Sequence, residues 1–183
     1  RPAAVVTARS VGDVKESLAW AKERGLRVTS QTTGHAAEAL PSLEGSLLLK
    51  TQLHDGEVEI DAGARTARVL AGAKWDDVIT AATPHGLTAL HGSSPSVGVV
   101  GYLLGGGLSS YGRSHGLACN HVDAFEVVTE DGRELRVDAE SEPDLFWALR
   151  GGGGGLAVVT AVEIELLPLA EVFAGATFLP AED

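Results

Sequence analysis

The sequence predicts an α+β chain, with a strand–helix–strand unit at its start and antiparallel strands later. Two observations favour this class. After the first short apolar run, apolar residues recur at helical spacing. In later segments apolar and polar residues alternate, and turn residues separate these segments from one another. A length of 183 residues fits one domain, or two small subdomains that share a core.

The helix directly after Ser10 is the most clearly predicted element. Ser10 and Asp13 have the spacing of a capping box, in which each residue satisfies a backbone N–H of the other. Val14 and Leu18 recur on one helical face, and Gly25 follows as a stop signal. With a short apolar strand on either side, this helix predicts a small βαβ unit.

The other elements follow from the same two periodicities. Strands are predicted at 4–6, 26–30, 46–49, 57–60, 66–70, 124–129, 134–137 and 157–166. The turns Ala62–Arg65 and Asp131–Gly132 predict hairpins between the strands on either side of them. Helices are predicted at 75–83 and 144–150, and Trp147 in the second helix is expected in the core.

Composition and charge exclude several classes of function. The formal net charge is −11, so no basic surface is available to follow a nucleic-acid backbone. No apolar run is long enough to cross a membrane, and residues 1–4 lack the order of a signal peptide. We therefore expect no membrane contact and favour a cytoplasmic location. The single cysteine, Cys119, excludes an internal disulfide and a multi-cysteine metal site, and no metal is expected.

Glycine is the anomaly in the composition. The chain has 23 glycines, clustered at 92–116 and 151–155. Glycine at such positions lets backbone pass close to another strand or to a bound ligand. The clusters contain neither the Gly-x-Gly-x-x-Gly dinucleotide motif nor a phosphate-binding P-loop, and no Gly-x-Ser-x-Gly or His-Glu-x-x-His occurs.

Three segments remain as candidates for ligand binding. They are residues 30–35, 92–107 and 150–160. Each offers loop N–H groups under little side-chain cover, and successive N–H groups can hold an anionic diphosphate without Lys or Arg. The sequence therefore predicts a site for a phosphate-bearing cofactor in an acidic protein.

In order and spacing, these segments resemble the FAD-binding (PCMH-type) domain of the vanillyl-alcohol oxidase and p-cresol methylhydroxylase superfamily. Berberine-bridge-enzyme-like oxidoreductases are the most similar branch. The resemblance runs from Arg1 to about Pro168. It rests on the Gly34–His35 loop and on the ordered motifs Ser93–Gly98, Leu104–Gly107, Tyr111–Arg113, Gly116–Ala118 and Asp144–Gly153.

The resemblance implies an FAD-binding fold over residues 1–168, with a first subdomain over about 1–55, a second over 56–168, and FAD between them. Residues 169–183 would begin the link to a C-terminal substrate domain, so we expect this chain to be a fragment or an isolated cofactor domain. The implied activity is that of an oxidase or dehydrogenase that takes hydride from a CH–OH or C–H group of a small-molecule substrate onto flavin N5. The catalytic base is expected in the absent domain. The alternative is a flavin- or drug-binding module without turnover.

The resemblance also implies which residues contact the cofactor. They lie in the glycine-rich loops and at the strand ends beside them. The implied FAD-binding residues are Thr32, Thr33, Gly34, His35, Ser93, Ser94, Ser96, Val97, Gly98, Gly101, Tyr102, Gly106, Gly107, Leu117, Val122, Gly154 and Val159.

His35 is the sharpest single hypothesis. Family members often join the 8α-methyl carbon of FAD to the histidine of this Gly-His pair, and a neutral imidazole nitrogen is a competent nucleophile. The alternative is a loop histidine that caps backbone groups. The loop departs from the family pattern at Thr32 and Thr33, whose β-branched side chains restrict the backbone.

Cysteine is expected to form no second bond to the flavin. Some relatives carry that second bond from a cysteine at the position of Ser94, and Cys119 is expected instead to be a small buried thiol. Two roles stay open for Tyr111: packing against the cofactor, or an ordinary position on the surface. His115 and His121 are expected to be structural or exposed.

Overall fold

The computed structural model describes residues 1–53, 58–175 and 177, and these residues form two β-sheets. The first sheet has three parallel strands in the order β1-β3-β2, and the second has five antiparallel strands in the order β4-β5-β8-β6-β7. The predicted α+β class, with a smaller N-terminal sheet and a larger antiparallel one, is confirmed. The strands are β1 (Ala4–Ala8), β2 (Arg27–Gln31), β3 (Ser46–Thr51), β4 (Val58–Asp61), β5 (Thr66–Leu70), β6 (Val122–Val128), β7 (Glu134–Asp138) and β8 (Val158–Glu165).

The first sheet is built around a helix that the sequence predicted closely. Helix α1 (Val11–Glu23) connects β1 to β2, and both of these strands pair in parallel with β3, which comes later in the chain. The Ser10 hydroxyl accepts the Asp13 N–H at 3.1 Å, and the Asp13 carboxylate accepts the Ser10 N–H at 3.2 Å, so the capping box is confirmed. The predicted subdomain boundary at 55/56 lies outside the described residues and stays a prediction.

The second sheet brings distant segments together. Strand β8 lies between β5 and β6, so the two predicted hairpins, β4–β5 and β6–β7, are joined by a late strand. Val69, Phe125, Val137 and Val162 pair across these strands and are at most 1% exposed. This buried face forms the centre of the core.

In the described residues, four further α-helices pack around the sheets: α2 (Trp75–Ala82), α3 (Val99–Leu104), α4 (Gly112–His115) and α5 (Pro143–Leu149). The sequence predicted α2 and α5 but neither α3 nor α4. The core position expected for Trp147 is wrong, because α5 buries Phe146 and Leu149 and leaves the Trp147 side chain 75% exposed. No helix in the described part of the chain is both long and apolar enough to cross a bilayer.

The two sheets meet through backbone contacts just after β5. The Leu53 N–H donates to the Ala71 carbonyl at 2.9 Å, and the Ala71 N–H donates to the Thr160 carbonyl at 2.9 Å. Gly72 follows with φ +132°, and a Cβ atom placed on it would lie 3.1 Å from the Cα of Gln52. Only glycine fits this backbone-to-backbone approach without a shift.

Replacing Gly72 by Ala should therefore loosen the junction between the sheets. We expect the free energy of unfolding to fall by about 1–3 kcal/mol, because strained φ and a clash with backbone both oppose the new side chain. Gly63→Ala is the matched control, since φ there is not positive and its nearest contact is the Asp61 carboxylate at 3.4 Å. Urea denaturation measures both variants, and equal losses in the two would contradict the assignment of Gly72.

Candidate functional site

Four loops contain most of the predicted site residues. We name them the histidine loop (32–36), the serine loop (91–98), the triple-glycine loop (105–111) and the five-glycine loop (151–157). None of them carries a Lys, Arg, Asp or Glu residue, although the chain has a net charge of −11. The loops are therefore a region without formal negative charge in an acidic protein, which favours an anionic ligand there over other parts of the surface.

The histidine loop packs directly on the serine loop. A Cβ atom on Gly98 would lie 3.1 Å from both Cβ and Cγ2 of Thr32. The Gly98 N–H donates to the Thr33 hydroxyl at 3.4 Å, and the hydroxyls of Thr32 and Thr51 are 3.0 Å apart. The two threonines that depart from the family pattern thus join β3 of the first sheet to the serine loop.

Helix α2 fixes the conformation of the serine loop. The N–H groups of Trp75 and Asp76, at the start of α2, donate to the carbonyls of Val97 and Pro95, both at 3.1 Å. These bonds satisfy helix N–H groups that have no partner within the helix. They also occupy carbonyls of the loop, whereas within the described residues the N–H groups of Ser93, Ser94 and Ser96 have no acceptor. The serine loop is therefore rich in free donors.

The two glycine-rich loops contact each other on the far side of α3. The Gly153 N–H donates to the Leu104 carbonyl at 2.8 Å, and a Cβ atom on Gly151 would lie 3.3 Å from the Cα of Gly106. The N–H groups of Ala118 and Cys119 donate to the carbonyls of Gly107 and Gly106, at 2.9 and 3.0 Å. These contacts hold the five-glycine loop and residues 118 and 119 against the triple-glycine loop.

His35 lies where the first two loops meet. Its Nε2 atom is 3.2 Å from the Ser96 hydroxyl, which in turn is 3.2 Å from the Ser94 hydroxyl. All three side chains are at least partly accessible to solvent. The imidazole is therefore held through one ring nitrogen, and its Nδ1 atom has no partner among the residues that the structure describes.

The remaining predicted residues are placed in three different ways. Gly101 and Gly154 are exposed, and a Cβ atom on either would meet nothing within 4 Å. Leu117 is 44% exposed beside the triple-glycine loop. The side chains of Val122 and Val159 are each 4% exposed and pair within the second sheet, so only their backbone could face a ligand. Cofactor contact by any of these residues stays a prediction.

Cys119, His121 and Tyr111 each contact other parts of the folded chain. Cys119 is 4% exposed, as expected of a buried thiol. His121 has its Nδ1 atom 2.8 Å from a Glu165 carboxylate oxygen and its Nε2 atom 2.8 Å from the His115 carbonyl, so it ties α4 to β8. The Tyr111 ring packs edge-on against His91, with ring centroids 5.7 Å apart.

Sequence reasoning missed the residues that support the loops. Thr51, Trp75 and Asp76 lie far from the glycine motifs in the chain, and no local pattern connects them to the site. A depression of about 330 Å³ beside α2 is lined by acidic Asp76 and Asp77, with Val58, Thr80 and Ala81. Its negative charge disfavours an anionic ligand, so we place the candidate site at the four loops.

Known proteins similar to this chain bind or use FAD. A family model described as an FAD binding domain matches residues 2–138. An FAD-dependent monooxygenase of Fusarium proliferatum is 36% identical over 177 residues, which make up 96% of this chain and 34% of that protein. Berberine bridge enzyme-like 23 of Arabidopsis thaliana is 33% identical over 178 residues, which make up 93% of this chain and 33% of that protein.

A solved structure agrees with these relatives. It is glucooligosaccharide oxidase from Acremonium strictum, whose FAD is described as 6-S-cysteinyl, 8α-N1-histidyl. The TM-score is 0.79 at 29% identity, and the match covers 90% of this chain and 35% of that one. The chain thus spans about a third of the length of the proteins it matches.

Replacing Gly98 by Val should separate the histidine loop from the serine loop and abolish retention of FAD. The new side chain would occupy the space of Thr32, and the Gly98 N–H would lose its place beside Thr33. Gly63→Val is the control, since its nearest contact is 3.4 Å away on a flexible carboxylate in the β4–β5 turn. The ratio of visible to ultraviolet absorbance after gel filtration measures retention. Full flavin occupancy in Gly98→Val would refute the role given to this contact.

Proposed function

This chain belongs to the FAD-binding domain family, and on that basis we propose that the whole protein is a flavin-dependent oxidoreductase acting on a CH–OH or C–H group of a small molecule. The family match over residues 2–138 is the observation that supports an FAD-binding role for this chain. The names of its relatives, a monooxygenase and an oxidase among them, support the activity. Those names do not state which group of the substrate reacts, so the CH–OH or C–H group is our own proposal.

The four loops fit FAD in their donors and in their shape. Free N–H groups and hydroxyls of Ser93, Ser94 and Ser96 suit the oxygens of a diphosphate, because such oxygens accept several hydrogen bonds at once. Gly154 in the five-glycine loop, and Gly101 in the neighbouring helix α3, face open space, so a ligand can approach the backbone closely there. The loops carry no carboxylate that would repel the phosphates.

FAD, when bound, supplies two-electron redox chemistry that no side chain of these loops possesses. The part of this chain is to bind and orient the cofactor. The serine loop, before α3, offers hydrogen-bond donors, and the histidine loop, after β2 of the first sheet, packs against it, so a ligand bound there would contact both loops. The contacts of Thr32 and Thr33 with Gly98 hold the histidine loop and the serine loop at a fixed distance from each other.

We further propose that His35 forms a single covalent bond to the 8α carbon of FAD. The bond would replace the imidazole N–H and one methyl C–H, and the two electrons released would reduce the flavin until an external acceptor such as O2 reoxidised it. The Ser96 hydroxyl holds Nε2, which leaves the other ring nitrogen accessible on an exposed side chain. A serine, Ser94, stands at the second anchoring position and provides no thiolate. The buried Cys119 thiol lies beside the Gly106 and Gly151 backbone instead, where solvent hardly reaches it.

The oxidoreductase activity is tested with the purified full-length protein under anaerobic conditions. We expect a yellow protein whose visible flavin bands bleach when one compound from a panel of alcohols, sugars and aromatic carbinols is added, and return on admission of air or a dye acceptor. A flavin that dithionite reduces but that no member of the panel bleaches would favour a binding module without turnover.

The covalent bond is tested by intact-mass spectrometry and acid precipitation. In the wild type, an adduct of FAD mass should survive denaturation and the precipitate should stay yellow. His35→Ala should release its flavin into the supernatant, whereas Cys119→Ser should behave as the wild type. An adduct that persists in His35→Ala, or that disappears in Cys119→Ser, would refute the assignment.

A further inference from the structure

The ring of Tyr102 lies between two glycines from different loops. A Cβ atom on Gly107 would lie 2.5 Å from Cε1 and 2.8 Å from Cδ1 on one edge of the ring. A Cβ atom on Gly92 would lie 3.0 Å from Cε2 on the opposite edge. The ring therefore touches the triple-glycine loop on one side and the serine loop on the other.

The ring is also anchored from the core. Trp75 packs edge-to-face against it, with ring centroids 5.3 Å apart and an interplanar angle of 82°. Trp75 is 1% exposed at the start of α2, the helix whose N–H groups hold the serine loop. One aromatic pair thus links the hydrophobic core to both loops, and such edge-to-face pairs have a preferred geometry that resists sliding.

Within the described residues, no hydrogen bond of the Tyr102 hydroxyl helps to hold the ring in place. Its oxygen is buried and has no hydrogen-bond partner among the residues that the structure describes. Burial raises the pKa of the phenol, so the group is neutral at physiological pH. A buried, unpaired hydroxyl is unfavourable, and the packing contacts of the ring are what this residue supplies.

We propose that Tyr102 is a positioning residue, a spacer whose ring sets the separation between the serine loop and the triple-glycine loop and thereby the spacing of the donors that face FAD. This inference rests on the cofactor site proposed above. It explains why Gly92, whose φ is not positive, is a glycine: a side chain there would meet the ring. It also assigns Tyr102 an indirect role in place of the direct cofactor contact that the family resemblance implies.

A double-mutant cycle between Gly92 and Tyr102 tests the spacer. The variants are Gly92→Ala, Tyr102→Leu, their combination, and Tyr102→Phe, all made in full-length protein carrying His35→Ala so that FAD is held without a covalent bond. Gly12→Ala, in α1 with its nearest contact 3.5 Å away, is the matched control. Two quantities are measured: the Kd for FAD, and, in flavin-free protein, hydrogen exchange of loop amides that have an acceptor, namely His91 and Gly98 in the serine loop and Gly105 and Gly106 in the triple-glycine loop.

A spacer predicts a coupled pattern. Gly92→Ala and Tyr102→Leu should each weaken FAD binding on the order of tenfold and speed exchange in both loops, whereas Gly12→Ala should do neither. In the Tyr102→Leu background, Gly92→Ala should add little, because the ring edge that it meets is gone. Tyr102→Phe keeps the ring and should match the parent protein in both measurements.

Two results would overturn the proposal. Losses that simply add in the double variant would mean that Gly92 and Tyr102 act independently. A loss of FAD binding in Tyr102→Phe with unchanged loop exchange would mean that the hydroxyl contacts the cofactor. If Tyr102→Leu does not fold, the comparison of Gly92→Ala with Gly12→Ala still tests the proposal. A spacer requires that a change at Gly92 in the serine loop speeds exchange in the triple-glycine loop, and unchanged exchange there would refute it. The exchange measurement needs no FAD, so failure of the spacer is distinguishable from failure of the proposed function.

Discussion

The close packing of Gly98 against Thr32 is the contact on which the candidate site depends. It is the point where the histidine loop, which follows β2 of the first sheet, touches the serine loop, and a single added carbon at Gly98 would lie 3.1 Å from the threonine side chain. The Thr33 hydroxyl and the pairing of Thr32 with Thr51 hold the same junction. His35 meets Ser96 between the same two loops, with 3.2 Å between its Nε2 atom and the Ser96 hydroxyl.

Charge imposes the second constraint. The chain has a net charge of −11 and belongs to a family that binds an anionic cofactor, and the four loops of the candidate site contain no Lys or Arg. Backbone N–H groups and hydroxyls provide partial positive charge at fixed positions, and they cost little to desolvate compared with a full cation. Acidic residues are kept elsewhere, for example on the outer face of the second sheet. There Arg68 makes two hydrogen bonds to Glu126, at 2.7 and 2.8 Å, and lowers the pKa of that carboxyl.

Local sequence patterns predicted most of the regular structure. The capping box at Ser10, the hairpin turn at Asp131–Gly132 and the apolar face of α2 each depend on residues a few positions apart, and the structure has all three. Helix α3 was missed because Gly98, Gly101 and Gly105 around it read as loop, while its apolar side chains are what bury it. Trp147 was misplaced because amphipathicity shows that a helix has an apolar face, but a seven-residue helix buries only part of that face.

The glycines show most clearly what the sequence could not predict. A count of 23 glycines indicates that backbone is close to something, but not to what. In the structure, Gly92 and Gly98 are needed because Tyr102 and Thr32 occupy the space of a side chain, whereas Gly101 and Gly154 face open space. Only the second kind leaves backbone bare for a ligand. The first kind serves to hold bulky side chains between loops, and this role depends on residues that the chain brings together only when it folds.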